Sequence, residues 1–161
     1  MKIKSLIFSF YLGTLILGSF GELAAQHENI LTATLDGENK EIHVQQEFTY
    51  KNNSNVTLNT LYFNDWAHSY ASKNTGLAKR FDEQFKKSLH LAKKSERGYT
   101  TIISAVDNEY RGLFWKRTTG EDILKIDLNS PLPPGESAKL FLTYTIKLPE
   151  NKFTPYGYDK K

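Results

Sequence analysis

An apolar stripe at helical spacing, set between runs that alternate apolar and polar residues, restricts this chain more than any other feature. Leu77, Phe81, Phe85, Leu89 and Ala92 recur at intervals of four, four, four and three, which places them on one face of a helix with about 3.6 residues per turn. Lys79, Asp82, Lys86, Lys87 and Lys93 fall on the other face. The pattern predicts one amphipathic helix over about 77–95, with Asn74 or Thr75 capping its start, Lys93, Lys94 and Arg97 toward its negative end, and Gly98 stopping it. Burying each large apolar side chain of such a stripe is worth about 1.5 to 3 kcal/mol. A single helix of this kind needs a sheet to lie on.

The rest of the chain supplies one. Ile30 to Leu35 suits a strand, Asp36 to Asn39 a turn, and Ile42, Val44, Phe48 and Tyr50 alternate with polar residues in the run that follows, so these segments read as a hairpin with one buried face. Asn52-Asn53-Ser54-Asn55 is the next turn, and Thr57 to Phe63 is expected to return as the third strand of a meander. Asn52-Asn53-Ser54 and Asn55-Val56-Thr57 both fit the glycosylation sequon, and both read as turn sequence. Further strands are predicted at Tyr99 to Val106, Leu113 to Arg117, Ile123 to Leu128 and Leu140 to Leu148. The proline-rich stretch Asn129 to Ser137 is expected to stop pairing on both sides. There is no internal repeat. The fold class is therefore mainly β: an antiparallel β-sandwich or saddle-like sheet with one inserted helix.

The first 25 residues are read apart from this domain. Lys2 and Lys4, the apolar run Leu6 to Phe20 and Leu23-Ala24-Ala25 follow the basic, apolar, small order of a secretory signal, too short for a stable membrane span. Cleavage is placed near Ala25-Gln26, which leaves 26–161 as one domain of an exported protein, periplasmic, extracellular or at the cell surface. The whole chain of 161 residues carries a formal charge of +3; removing Lys2, Lys4 and Glu22 lowers it by one. A surface this mildly basic gives no argument for nucleic acid. The chain has no cysteine, so neither disulfides nor thiolate zinc sites are available. Ten Phe, nine Tyr and two Trp provide the material for a core.

No catalytic, cofactor or metal site emerges. The four histidines are His27, His43, His68 and His90, and none is spaced to share a zinc ion with another on one helical turn. His27-Glu28 starts like His-Glu-x-x-His but has Leu31 where the second histidine belongs. His90 is expected near the helix C-terminus, where its charge is favoured, and His43 is expected to face solvent, as are Glu47 and Asp127. Asp65-Trp66-Ala67-His68-Ser69-Tyr70 gathers an acid, an imidazole, a hydroxyl and two aromatics, but adjacent side chains diverge and do not make a proton relay. The structural expectation is that Trp66 and Tyr70 plug the core edge while Asp65 and Ser69 satisfy loop amides. Lys86, Lys87, Lys93, Lys94 and Arg97 form a basic face, interrupted by Asp82, Glu83 and Glu96, that reads as solvated.

The order of pieces carries a resemblance. An alternating hairpin, then Leu61-Tyr62-Phe63-Asn64-Asp65-Trp66-Ala67-His68-Ser69-Tyr70, then Leu128 to Glu136 before Leu140-Phe141-Leu142-Thr143-Tyr144, with Leu77 to Phe81 and Glu96 to Tyr99 between, resembles the N-terminal domain of M1-type zinc metallopeptidases, the aminopeptidase N family. Where the family has an asparagine-alanine-tyrosine element this chain has His68-Ser69-Tyr70. The resemblance implies a non-catalytic β domain that covers a thermolysin-like catalytic domain further along the parent chain. That absent domain would hold the zinc and act on peptide substrates, and no catalytic or metal position of the family falls within these residues. The C-terminal run Asn151 to Lys161 is expected to break off inside a longer protein, with Phe153 to Tyr158 either meeting the neighbouring domain or starting the next strand. The other expectation is a stand-alone secreted β-sandwich that binds carbohydrate or protein through Trp66, Tyr70 and Trp115.

Overall fold

A computed structural model describes residues 27–159; the signal sequence expected over 1–25 lies outside the described residues. Seven strands run β1 (His27–Asp36), β2 (Glu41–Lys51), β3 (Leu58–Asn64), β4 (Tyr99–Asp107), β5 (Trp115–Arg117), β6 (Ile123–Leu132) and β7 (Ser137–Lys147), with the helix α1 (Gly76–Glu83) between β3 and β4. They form two antiparallel sheets, β1-β2-β7-β4 and β3-β6-β5, so the chain is mainly β and sandwich-like, as its alternation predicts.

The expected meander does not form. β2 pairs with β1 and β7, and β3 leaves for the second sheet, where it pairs with β6. Asn52 is the pivot of that crossing and is fully buried. Its Nδ2 donates to the carbonyls of Val56 (2.8 Å) and Leu132 (2.9 Å), its Oδ1 accepts from Ser54, and its backbone bonds Gly135 and Glu136. Alternation shows which face of a strand is apolar; it does not name the strand's neighbour. β6 also continues through Pro131 to Leu132, and the turn closes over Pro133 to Glu136 with Gly135 at φ 81°, a left-handed conformation that glycine adopts without strain.

Cross-strand partners share a face. In the larger sheet Val44 sits beside Tyr144, Gln46 beside Leu142 and Phe48 beside Leu140, and this is the inner face. Leu61, Leu113, Leu124 and Ile126 meet it from the other sheet, forming one buried cluster with Ala105, Leu140 and Leu142. β4 turns into β5 at one edge, where the Leu113 N–H donates to the Ala105 carbonyl at 2.9 Å. At the other side Phe63 of β3 packs edge-on against Phe48 of β2, with ring centroids 5.1 Å apart. β1, one strand further out, has no strand of the second sheet opposite it.

The helix is shorter than its stripe predicts. Thr75 caps it, its hydroxyl accepting from the Ala78 N–H at 3.2 Å, and it ends at Glu83. The Phe85 N–H donates to Asp82 at 2.9 Å and the Lys86 N–H to Phe81 at 2.8 Å, the paired bonds of a Schellman stop. Phe85 takes the left-handed place at φ 59° that glycine normally fills. It is therefore thrown outward, while Leu77, Ala78 and Leu89 pack with Tyr70 and Phe153 in a second cluster. His90 consequently lies in an exposed loop beyond α1 and is not part of a helix. Phe153 to Tyr158 neither starts a strand nor stands free. Phe153 is buried, Tyr156 meets Tyr70 edge-on at 5.8 Å, and burial beside Tyr70 pushes the Tyr156 hydroxyl's pKa far up.

Candidate functional site

The sandwich is open along β1. Leu35 is opposite Ile42, Ala33 opposite Val44 and Leu31 opposite Gln46, so all three lie on the inner face, yet Leu31 remains 52 % and Leu35 66 % exposed. Further along the inner face a cavity of about 220 Å³ lies between the layers, lined by Phe63, Trp66, Ile102, Leu142, Tyr144 and Ile146. Trp66, expected to plug the core edge, instead stands at the mouth of this cavity with half its surface exposed, because the 3₁₀ turn Trp66–Tyr70 turns Ser69 and Tyr70 inward.

A polar cluster closes one end of the cavity. Asp65 is not spent on loop amides. Its Oδ2 accepts from Arg117 Nε (3.1 Å) and Nη2 (2.8 Å), and its Oδ1 from the Thr100 hydroxyl (2.6 Å). The ion pair is largely buried, with the Arg117 and Asp65 side chains 18 % and 8 % exposed. Arg117 also donates to the Thr100 carbonyl at 2.8 Å. His68 Nδ1 faces the Thr100 backbone, 3.1 Å from its carbonyl oxygen and 3.2 Å from its N–H nitrogen, and the tautomer sets which of the two it bonds. Burial, and then the nearby Arg117 cation, lower the His68 pKa. This set ties β4, β5 and the end of β3 together across both layers. Tyr144 donates to Gln46 Oε1 at 3.1 Å, and burial raises its pKa.

Asp65, His68 and Ser69 do not meet: the first two are committed to Arg117 and Thr100, and Ser69 Oγ is buried without a hydrogen-bond partner. His43 is exposed, near Asp36 and Thr145. Glu47 and Asp127 lie on outer faces as expected, but they are held in ion pairs with Lys139 and Lys125. Of Trp66, Tyr70 and Trp115, only Trp66 presents a half-exposed ring; Tyr70 is buried and Trp115 packs on the main core. Among the described residues no group of three or more His, Asp or Glu is placed to hold a metal ion, and no helix is long and apolar enough to cross a membrane. Thr100 and Arg117 are the members of the cluster that sequence reading missed. The parity of Arg117 with Leu113 and Trp115 puts it on an inward face, which is the signal of a buried cation in need of a carboxylate.

No protein-family model matches the sequence, and comparison with curated proteins gives no match. Among solved structures the chain is similar to a mutant M1 zinc metallopeptidase of Deinococcus radiodurans bound to a Tyr-Ser-Ala substrate, with a TM-score of 0.45 and 14 % identity. The similarity covers 76 % of this chain and 19 % of that one, so the chain spans about a fifth of its neighbour's length.

Proposed function

We propose that this chain is the non-catalytic N-terminal β domain of an exported M1-like zinc metallopeptidase, packed on a catalytic domain elsewhere in the parent protein. The observation that carries the reading is the uncovered inner face of β1. Leu31 and Leu35 stand on the core side of a sheet with nothing across from them, which is what a domain keeps for a partner surface. The order of strand, inserted helix and proline-glycine-glutamate turn gives the partner its class through the family resemblance. In this reading zinc, catalytic residues and peptide substrates belong to the partner domain, and this chain supplies a cover.

The reading frame that follows Lys161 in the genome tests it first. A helix carrying His-Glu-x-x-His within the next few hundred residues is expected, and a frame without one removes the proposal. In the parent enzyme, Leu31→Asp with Leu35→Asp is then expected to expose the boundary between domains to protease while leaving the melting temperature of the β domain unchanged. An unchanged digestion pattern places the docking face elsewhere.

A further inference from the structure

The loop that follows α1 is anchored to the domain and yet presents apolar side chains to water. Leu89 is fully buried against the second cluster, and the Arg97 guanidinium holds the loop from beneath, donating to the Ala92 carbonyl at 3.1 Å. On either side of that anchor Phe85 is 90 % and Leu91 76 % exposed, the two most exposed large apolar side chains among the described residues. Phe85 is kept there by a backbone at φ 59°, an uncommon and strained conformation for a bulky side chain. Around them the charge is one-sided. Residues 79–97 carry seven cations, Lys79, Arg80, Lys86, Lys87, Lys93, Lys94 and Arg97, against Asp82, Glu83 and Glu96; Lys87 takes up Asp82 and Lys152 takes up Glu96.

We propose that this loop docks on an anionic lipid bilayer, with Phe85 and Leu91 entering the boundary between headgroups and acyl chains and the lysines lying on the phosphates. Apolar crest and basic flanks together are the complement of such a surface. A soluble polyanion would match the cations but offers nothing to Phe85. The inference does not depend on the domain role proposed above.

Because the chain lacks cysteine, Phe85→Cys gives the full chain a unique site for an environment-sensitive fluorophore such as NBD, and Tyr62→Cys, on the outer face of β3, gives a control. With phosphatidylcholine vesicles containing phosphatidylserine, the label at 85 is expected to shift to the blue and brighten, while the label at 62 stays unchanged. Pure phosphatidylcholine or high salt is expected to abolish the response. The triple change Lys86→Glu, Lys93→Glu, Lys94→Glu should weaken vesicle binding by at least about a hundredfold, at roughly fivefold per basic residue. Phe85→Gly, which suits the left-handed backbone and preserves the fold, should weaken binding about tenfold with no fall in melting temperature. The proposal is overturned by absence of binding to anionic vesicles, by binding that leaves the label at 85 in water, or by equal shifts at 85 and 62, which would assign the contact to another part of the chain.

Discussion

At the corner where β4 turns into β5, the inner face of the larger sheet is sealed; at β1, on the same sheet, it is bare. Leu140 is 1 % exposed and Leu35 66 %, although both occupy inward positions of alternating strands. The difference lies in what stands opposite. The smaller sheet has three strands to the other's four, and its last strand, β3, reaches only as far as β2. An apolar residue on the inward face therefore stabilises the domain only where a second layer arrives, and elsewhere it stays open to solvent.

The widest gap should appear between matched truncations. Leu140→Ala is expected to cost about 3 kcal/mol in chemical denaturation, and Leu35→Ala no more than about 0.5 kcal/mol. Similar losses at both sites would mean that the β1 face is already covered, and the comparison would fail. Next comes the clamp at the end of the cavity between the layers. Arg117→Met strands the buried Asp65 carboxylate and should cost about 2 to 4 kcal/mol, less than a fully buried pair because the guanidinium keeps some solvent; a neutral result would show that closure does not extend this far. Phe85→Gly, remote from both regions, takes exposure to its limit: removing an apolar ring should raise stability by about 1 kcal/mol by relieving the left-handed backbone. The smallest effect is a slope. Folding keeps His68 neutral by burial and by the neighbouring Arg117 cation, so its pKa falls below the unfolded value near 6.5. Its contribution is complete above that pH and is lost as pH falls toward the folded pKa. His68→Asn should flatten melting temperature against pH over this window, and an unchanged curve would place the titration elsewhere.

Every strand and the helix were legible in the sequence, because alternation and helical spacing report directly which residues can share a buried face. Partnership was less so. The crossing of β3 to the second sheet depends on Asn52, whose bonds to Leu132, Gly135 and Glu136 join positions far apart in the chain. The helix end was hidden because phenylalanine occupies the place where a reader looks for glycine, and Gly98 offered a plausible stop further on. The link between Asp65 and Arg117 spans 52 residues and has no local signature beyond the parity of Arg117 with Leu113 and Trp115. The open seam itself could not be read, since β1 alternates as its covered neighbours do; only the count of strands in the opposing layer reveals it.

The saturation of Asn52 bears on how the protein is produced. Its side-chain amide lies inside the crossover with both Nδ2 hydrogens and its oxygen engaged, while the neighbouring acceptor Asn55 is exposed. In a host that attaches sugars as the nascent polypeptide enters the secretory lumen, oligosaccharyl transfer to Asn52 would precede folding and wedge a glycan where two layers must join. Yield from such a host is thus set by a race between enzyme and crossover, and a bacterial host avoids it.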